Sequence, residues 1–179
     1  MKEQLEERYK VEKLKWNKLA GKILEEERLP PNISVEEYFL RSNILRPVIS
    51  YFGLMDRDIK NLTLLDYGCG IGTKTIALSR KVARVIAIDV AINRVQVLSR
   101  RIKTASITNV FPINSDCEHL PFVDGSFDLV FGCAILHHLR IDKALFEIRR
   151  VLKPGGKAAF CEPLAYNPIV NLFHHIITS

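Results

Sequence analysis

The chain has 179 residues, near the commonest size of a single domain, and its 47% hydrophobic and 26% charged residues are those of an ordinary globular protein. No apolar run reaches the roughly 18 residues a membrane-spanning helix needs, and the first 28 residues are dense in Lys and Glu, which excludes a signal or transit peptide and makes the cytoplasm the default. The net charge is +6, and the four cysteines, Cys69, Cys117, Cys133 and Cys161, form no C-x-x-C pair, which argues against a zinc or disulfide framework and for buried reduced thiols.

In chain order, residues 2–27 read as a helix, with Leu5, Tyr9, Trp16, Leu19 and Ile23 on one stripe. Leu29-Pro30-Pro31 ends it. Ser34 with Glu37 three residues on is a capping box that opens a second helix toward Phe52-Gly53, broken near Pro47. From residue 62 the pattern changes to apolar, β-branched runs alternating with amphipathic stretches. Strands are expected at Leu62–Tyr67, Val82–Asp89, Asn109–Asn114, Phe127–Cys133 and Lys157–Glu162. Helices are expected at Thr73–Arg80, Ile92–Thr104 and Asp142–Leu152, with a last one from Pro168. This alternation predicts an α/β fold, a doubly wound, mostly parallel sheet in 56–179, preceded by a helical extension in 1–55.

Ligands of such sheets bind at the carboxyl ends of the strands, so the residues after each strand carry the functional signal. The first strand leads into Asp66-Tyr67-Gly68-Cys69-Gly70-Ile71-Gly72. Three alternate glycines give a tight turn that a ligand can approach closely. A dinucleotide fingerprint places its third glycine at position 73, which here is Thr73. Asp66 would also repel a pyrophosphate, whereas S-adenosylmethionine (SAM) carries no phosphate and bears an ammonium and a sulfonium. The loop therefore favours SAM over a nicotinamide cofactor.

The second strand ends at Asp89, placed to accept both ribose hydroxyls or to cap the next helix. After the third strand, Asp116 is placed to accept from the adenine amino group and the backbone N–H of Cys117 to donate to the neighbouring ring nitrogen; a loop cap is the alternative role for Asp116. After the fourth strand, Cys133-Ala134-Ile135-Leu136-His137-His138-Leu139 offers two histidines. Adjacent histidines do not share one metal on a regular helix; one of them suits a general base, and the alternative is that one hydrogen-bonds backbone while the other is exposed. Lys153-Pro154-Gly155-Gly156 reads as a structural turn closing the last helix. Finally, Arg80, Lys81, Arg84, Arg94, Arg100, Arg101 and Lys103 form a basic cluster. It reads as a solvated helix face or as a surface for RNA, anionic lipid or an acidic substrate, without the interleaved aromatics of single-strand binders.

The succession LLDYGCGIG, VIAIDV, SDCEHLPF, FDLVFGCAILHHL and RVLKPGG resembles the class I SAM-dependent methyltransferases, in their type 11, small-molecule branch, over residues 40–165. The resemblance implies a Rossmann-like sheet with Asp66, Gly68, Cys69, Gly70 and Gly72 around the methionine half of SAM. It further implies Asp89 on the ribose, Val90 against the adenine, Asp116 and Cys117 reading the adenine, and the backbone of Cys133 and Ala134 near the methionine. The N-terminal helices take the place of the family's variable lid, which would put Trp16 and Tyr38 over the site; plain packing is the alternative role for both. The family's sheet has seven strands, and this chain ends 17 residues after Glu162, so the last two strands are expected to be missing and the fifth to present an edge to a protein partner.

The implied reaction is methyl transfer from SAM, yielding S-adenosylhomocysteine (SAH), to an oxygen, nitrogen or carbon of a small molecule. Aligning the reactants is the main task, with His137 or His138 as the base and Glu162 as a more distant one. The alternatives are a catalytically silent scaffold of the same fold and an RNA methyltransferase.

Overall fold

A computed structural model describes residues 45–54 and 59–162, together with the helical positions Glu7, Lys10, Val11, Leu14, Asn17 and Lys18. Among these residues the chain forms α1 (Leu45–Phe52), β1 (Ile59–Tyr67), α2 (Thr73–Leu78), β2 (Val82–Asp89), α3 (Ile92–Thr104), β3 (Val110–Asn114), β4 (Phe127–Cys133), a 3₁₀ turn (Leu136–His138), α4 (Ile141–Val151) and β5 (Leu152–Cys161). The five strands make one sheet in the order β3-β2-β1-β4-β5, and every pairing is parallel. This is the doubly wound α/β architecture that the alternating pattern predicts. The order reverses between β1 and β4, so their carboxyl ends open the crevice in which such sheets hold ligands.

Alternation along the strands divides the core in two. Leu64, Val85, Ala87, Leu129 and Phe131 face one side, where Val48 and Phe52 of α1, Ile76 and Leu78 of α2 and Leu98 of α3 pack on them. Leu65, Tyr67, Ile88 and Val130 face the other, covered by Ala144, Ile148 and Val151 of α4 with Leu120 and Phe127. Over residues 64–67 both faces of β1 are buried, so Leu64 and Leu65 stand side by side instead of alternating with exposed polar residues. In α4 the buried residues Ala144, Glu147, Ile148 and Val151 recur at helical spacing, with Asp142 in the first turn and Arg149 and Arg150 in the last, both favoured by the helix dipole.

Several boundaries differ from the sequence reading for identifiable reasons. Pro47 lies in the first turn of α1, where its missing N–H costs nothing, and so does not break that helix. Gly53, at φ +76°, ends α1 in a Schellman arrangement: its N–H bonds Ser50 C=O and that of Leu54 bonds Ile49 C=O, each at 2.9 Å. Helix α2 stops at Leu78, short of Arg80. The Ser79 hydroxyl turns back onto Ile76 C=O (2.8 Å), and Asn109 Nδ2 takes Ser79 C=O (2.7 Å).

Strand β5 starts directly after α4, and Gly155-Gly156 do not cap that helix; Leu152 is already extended there. Between the pairs Phe127↔Leu152 and Leu129↔Lys157, β4 advances two residues and β5 five, so Pro154-Gly155-Gly156 are extruded as a bulge with Gly155 at φ +77°. The expected helix up to residue 44, Trp16, Tyr38 and the segment from Pro168 lie outside the described residues.

A pair of hydrogen bonds to Asn17 also ties the N-terminal extension to the sheet domain. Helix α3 begins at Ala91, which has no side chain able to cap it. Asn17 Oδ1 accepts the Asn93 backbone N–H (3.1 Å), and Asn93 Nδ2 donates to Asn17 C=O (2.9 Å). The N-cap bond of α3 thus comes from a residue 76 positions upstream.

Candidate functional site

The glycine loop leaves β1 with Gly68, Gly70 and Gly72 all in the left-handed region, at φ +77°, +56° and +81°. The three have different duties. A Cβ on Gly68 would lie 2.6 Å from Ile135 Cγ1, and one on Gly72 would lie 2.1 Å from Leu98 Cδ1. Both glycines are required by packing against the protein itself. Gly70 alone faces open space, with nothing within 4 Å of an added Cβ. Of the three, it is the one whose Cβ position the protein leaves unfilled.

The loop is joined to the end of β2. Gly68 and Cys69 N–H both bond Ile88 C=O, at 3.0 and 2.8 Å. Gly70 N–H donates to Asp89 Oδ2 (2.9 Å) and Ala91 N–H to Asp89 Oδ1 (2.8 Å), while Arg94 Nη1 stands 3.5 Å from Oδ2. Asp89 is thereby both the strand-end cap and a fixed carboxylate at the crevice. From behind, Arg101 Nη1 donates to Ile71 C=O (2.9 Å) and to Thr73 Oγ1 (3.1 Å). The basic cluster is therefore not one patch: Arg94 and Arg101 are half-buried parts of the site, and Arg84 lies over the Phe111 ring at 5.6 Å.

Asp66 sits beneath the loop, 2% exposed, and accepts from Thr75 Oγ1 at 2.6 Å. Burial pushes its carboxyl up to about 6, against the Thr75 hydrogen bond and Lys74 and with the help of Asp89. Cys69 is half-buried, and burial raises its thiol well above the ordinary value.

At the end of β3, Asn114 Nδ2 bridges Asp89 C=O (2.8 Å) and Val90 C=O (2.9 Å), and Ser115 N–H bonds Asp89 C=O (3.2 Å). Asp116 remains partly open. Its Oδ1 accepts Glu118 N–H (2.8 Å) and its Oδ2 lies 3.2 Å from His119 Nδ1, so the loop-cap role is realised. Cys117 is buried, and its C=O accepts the Tyr67 hydroxyl, which ties this turn to β1. Burial raises both the Cys117 thiol and the Tyr67 hydroxyl.

At the end of β4, Cys133 pairs in register with Cys161 of β5, and Ala134 is left-handed at φ +54° with its N–H on Cys161 C=O (2.8 Å). The next residues turn onto Glu162. Its Oε1 accepts Ile135 N–H and Leu136 N–H at 3.0 Å each, and its Oε2 meets His137 Nδ1 at 2.6 Å. Burial raises the Glu162 carboxyl, but the His137 bond and the two backbone N–H groups outweigh it and hold the group below the usual carboxylate range. The His138 ring lies against that of His137, centroids 3.9 Å apart.

The sequence-predicted positions therefore gather along the carboxyl ends of β1, β2, β3 and β4. Of Tyr67, Arg101 and Asn114, which help hold that constellation together, the sequence marks only Arg101, and only as a member of the basic cluster. The signals that mark them are a hydroxyl within an apolar strand, a cation among the inward-facing positions of α3, and an amide at a strand end. Among the described residues, no helix is long and apolar enough to cross a membrane, and no group of three or more His, Cys, Asp or Glu could hold a metal ion.

A family profile described as "Methyltransferase domain" matches residues 65–160. The chain is 39% identical over 102 residues to a demethylmenaquinone methyltransferase of Thermobifida fusca, a match covering 55% of this chain and 42% of that protein. It superposes on the YcgJ protein of Bacillus subtilis with a TM-score of 0.65 at 28% identity, covering 75% of this chain and 56% of that one. A SAM-dependent methyltransferase of Aquifex aeolicus gives a TM-score of 0.59 at 27% identity, over 74% and 72% of the two chains. The chain spans less than half the length of the curated relatives it matches.

Proposed function

The chain belongs to the methyltransferase domain family, and from that premise we propose that it is an enzyme that transfers a methyl group from SAM to an oxygen, nitrogen or carbon of a small molecule. The observation that carries this reading is the split among the loop glycines. Two are demanded by packing, while Gly70 opens onto free space beside the fixed Asp89 carboxylate. That cradle fits a ligand with a hydroxyl-bearing ribose and a cationic tail, and the relatives supply its identity.

When bound, SAM supplies a methyl group already activated by a cationic sulfur. The protein's own part is to bind, orient and shield. Asp89, anchored by two backbone N–H groups, keeps lone pairs for the ribose hydroxyls. Val90 lies beside it, and Asp116 with the Cys117 backbone forms the adenine edge. Gly68, Cys69, Gly70 and Gly72 with the Cys133 and Ala134 backbone border the methionine half. Asp66 acts from beneath the loop, holding Thr75 and adding negative charge under the cationic end. We assign residues 1–55 as a helical lid or extension to a SAM-binding domain at 56–179, with the Asn17–Asn93 contact beside Asp89 favouring a lid role for its first part. The T. fusca relative is named for a quinone, so an aromatic or carbocyclic acceptor is the first class to offer. Four free thiols fit a reducing cytoplasm.

Isothermal titration with SAM and SAH tests the reading. About micromolar binding that is lost in Asp89→Ala is the expected result. Absence of binding by a folded chain would overturn it and favour a silent scaffold.

A further inference from the structure

The exit of β4 has an unusual support. The 3₁₀ turn Leu136–His138 begins at Ile135, which has no side chain able to cap it. Its first N–H groups therefore need an acceptor from elsewhere. Glu162, 25 or more residues away at the end of β5, supplies one oxygen to both Ile135 and Leu136 N–H and turns the other onto His137 Nδ1. The same place carries backbone strain. Ala134 is a non-glycine residue at φ +54°, pinned by its bond to Cys161 C=O. Such conformations persist only where the surroundings over-determine them, and they concentrate at functional sites.

The chemistry of this clamp is directional. An ionised carboxylate accepts and cannot donate, and three donors on one carboxylate keep it ionised. The ring nitrogen facing it must then carry the hydrogen, which leaves the lone pair of a neutral imidazole on Nε2. Glu162 is thus poorly suited to be a base itself, and His137 and His138 are no longer equivalent: one ring is held by the carboxylate, and the other packs on its face.

We propose that Glu162 is a positioning residue that fixes the tautomer of His137 and makes its Nε2 the proton acceptor for the methyl-accepting group. The proposal rests on the methyl-transfer reading above. In the step itself, an O–H or N–H of the acceptor gives its proton to the Nε2 lone pair, the bonding electrons stay on the acceptor atom, and the new imidazolium lies against the Glu162 carboxylate. This is the division of labour in which a carboxylate orients a histidine and stabilises its charge without taking the proton.

The test reads the tautomer directly and needs no acceptor. Long-range ¹H–¹⁵N correlation spectra of the full ¹⁵N-labelled chain, with the His137 pattern identified by its loss in His137→Gln, are expected to show Nδ1 protonated and Nε2 bare. Glu162→Ala should shift that pattern to the Nε2-protonated form, and Glu162→Gln, which keeps an acceptor oxygen, should restore Nδ1 protonation in part. An Nε2-protonated His137 in the wild-type chain overturns the proposal, as does an unchanged pattern in a folded Glu162→Ala. If that variant does not fold, the wild-type tautomer alone decides. The SAH titration of the wild-type chain is read separately, so failure of the cofactor assignment and failure of the tautomer assignment are distinguishable.

Discussion

The ends of β1 and β2 and the ends of β4 and β5 border one crevice, yet they are held by different means. On the β1–β2 side the turn is made by glycines. Glycines take left-handed angles at no steric cost, and their N–H groups meet Ile88 C=O and Asp89 at the end of the neighbouring strand, 19 or more residues on. On the β4–β5 side a non-glycine residue is left-handed, and the turn is held by a carboxylate 25 or more residues further on. The first arrangement is robust because each piece is cheap to form. Both need two strands to have paired, but in the second no glycine relieves the left-handed turn and a side chain from the partner strand holds it. A site assembled this way joins an edge whose turns suit its own glycines to one whose turn is held by a side chain from the adjoining strand.

Four variants break or sharpen that contrast. Gly72→Ala attacks the local side hardest. A left-handed alanine costs about 1–2 kcal/mol, and crowding Leu98 costs about 1–3 kcal/mol more. Urea unfolding should therefore show a loss of several kcal/mol. Adding Leu98→Ala should give a total smaller than the sum of the two single losses, because the clash is shared.

Glu162→Ala attacks the tertiary side. Stranding the Ile135 and Leu136 N–H groups should cost about 2 kcal/mol. Because folding lowers the Glu162 pKa, its contribution is present above the unfolded value and is lost as pH falls through the folded one. Wild type and variant should therefore converge in thermal melts at acid pH.

Asp66→Asn should have the opposite sign. Folding raises the Asp66 pKa from 3.8 to about 6, so the charged form opposes folding increasingly across that window and fully above it. The variant should be about 1–3 kcal/mol more stable than wild type at pH 7 and level with it at pH 4. Equal melting curves at both pH values would show that Asp66 is not strained by its burial. Gly70→Ala should cost least, about 1 kcal/mol for the left-handed angle alone. It should nevertheless weaken SAM binding at least tenfold in calorimetry, since its methyl group points where the ligand goes. Unchanged affinity would remove the ligand from Gly70.

The sequence showed the β1–β2 side far better than the other, for the same physical reason. Asp66, the alternate glycines and Asp89 are specified by local backbone needs, and local needs leave local motifs. The parallel strands were legible from buried apolar runs such as Leu64-Leu65 and Val85–Ile88. Which glycine faces open space was not legible, because it depends on Ile135 and Leu98, side chains brought in by packing. The fate of Gly155-Gly156 was misread because Leu152 is already extended when the chain reaches them. His137 could not be separated from His138 without Glu162, and no spacing rule links those positions. Arg101 looked like surface charge because a helix interior and a helix surface use the same letter.

The bond between Asn17 and Asn93 carries a consequence for where this protein begins. The region matched by the family profile starts at residue 65, and an expression clone cut to that boundary would look complete by homology. Its third helix would be left with a bare N-terminus two residues from Asp89. Exchange of the Asn93 amide with heavy water is thus a gauge of whether the upstream segment is seated. It should quicken in any version lacking the first eighteen residues, even where the sheet itself survives the cut.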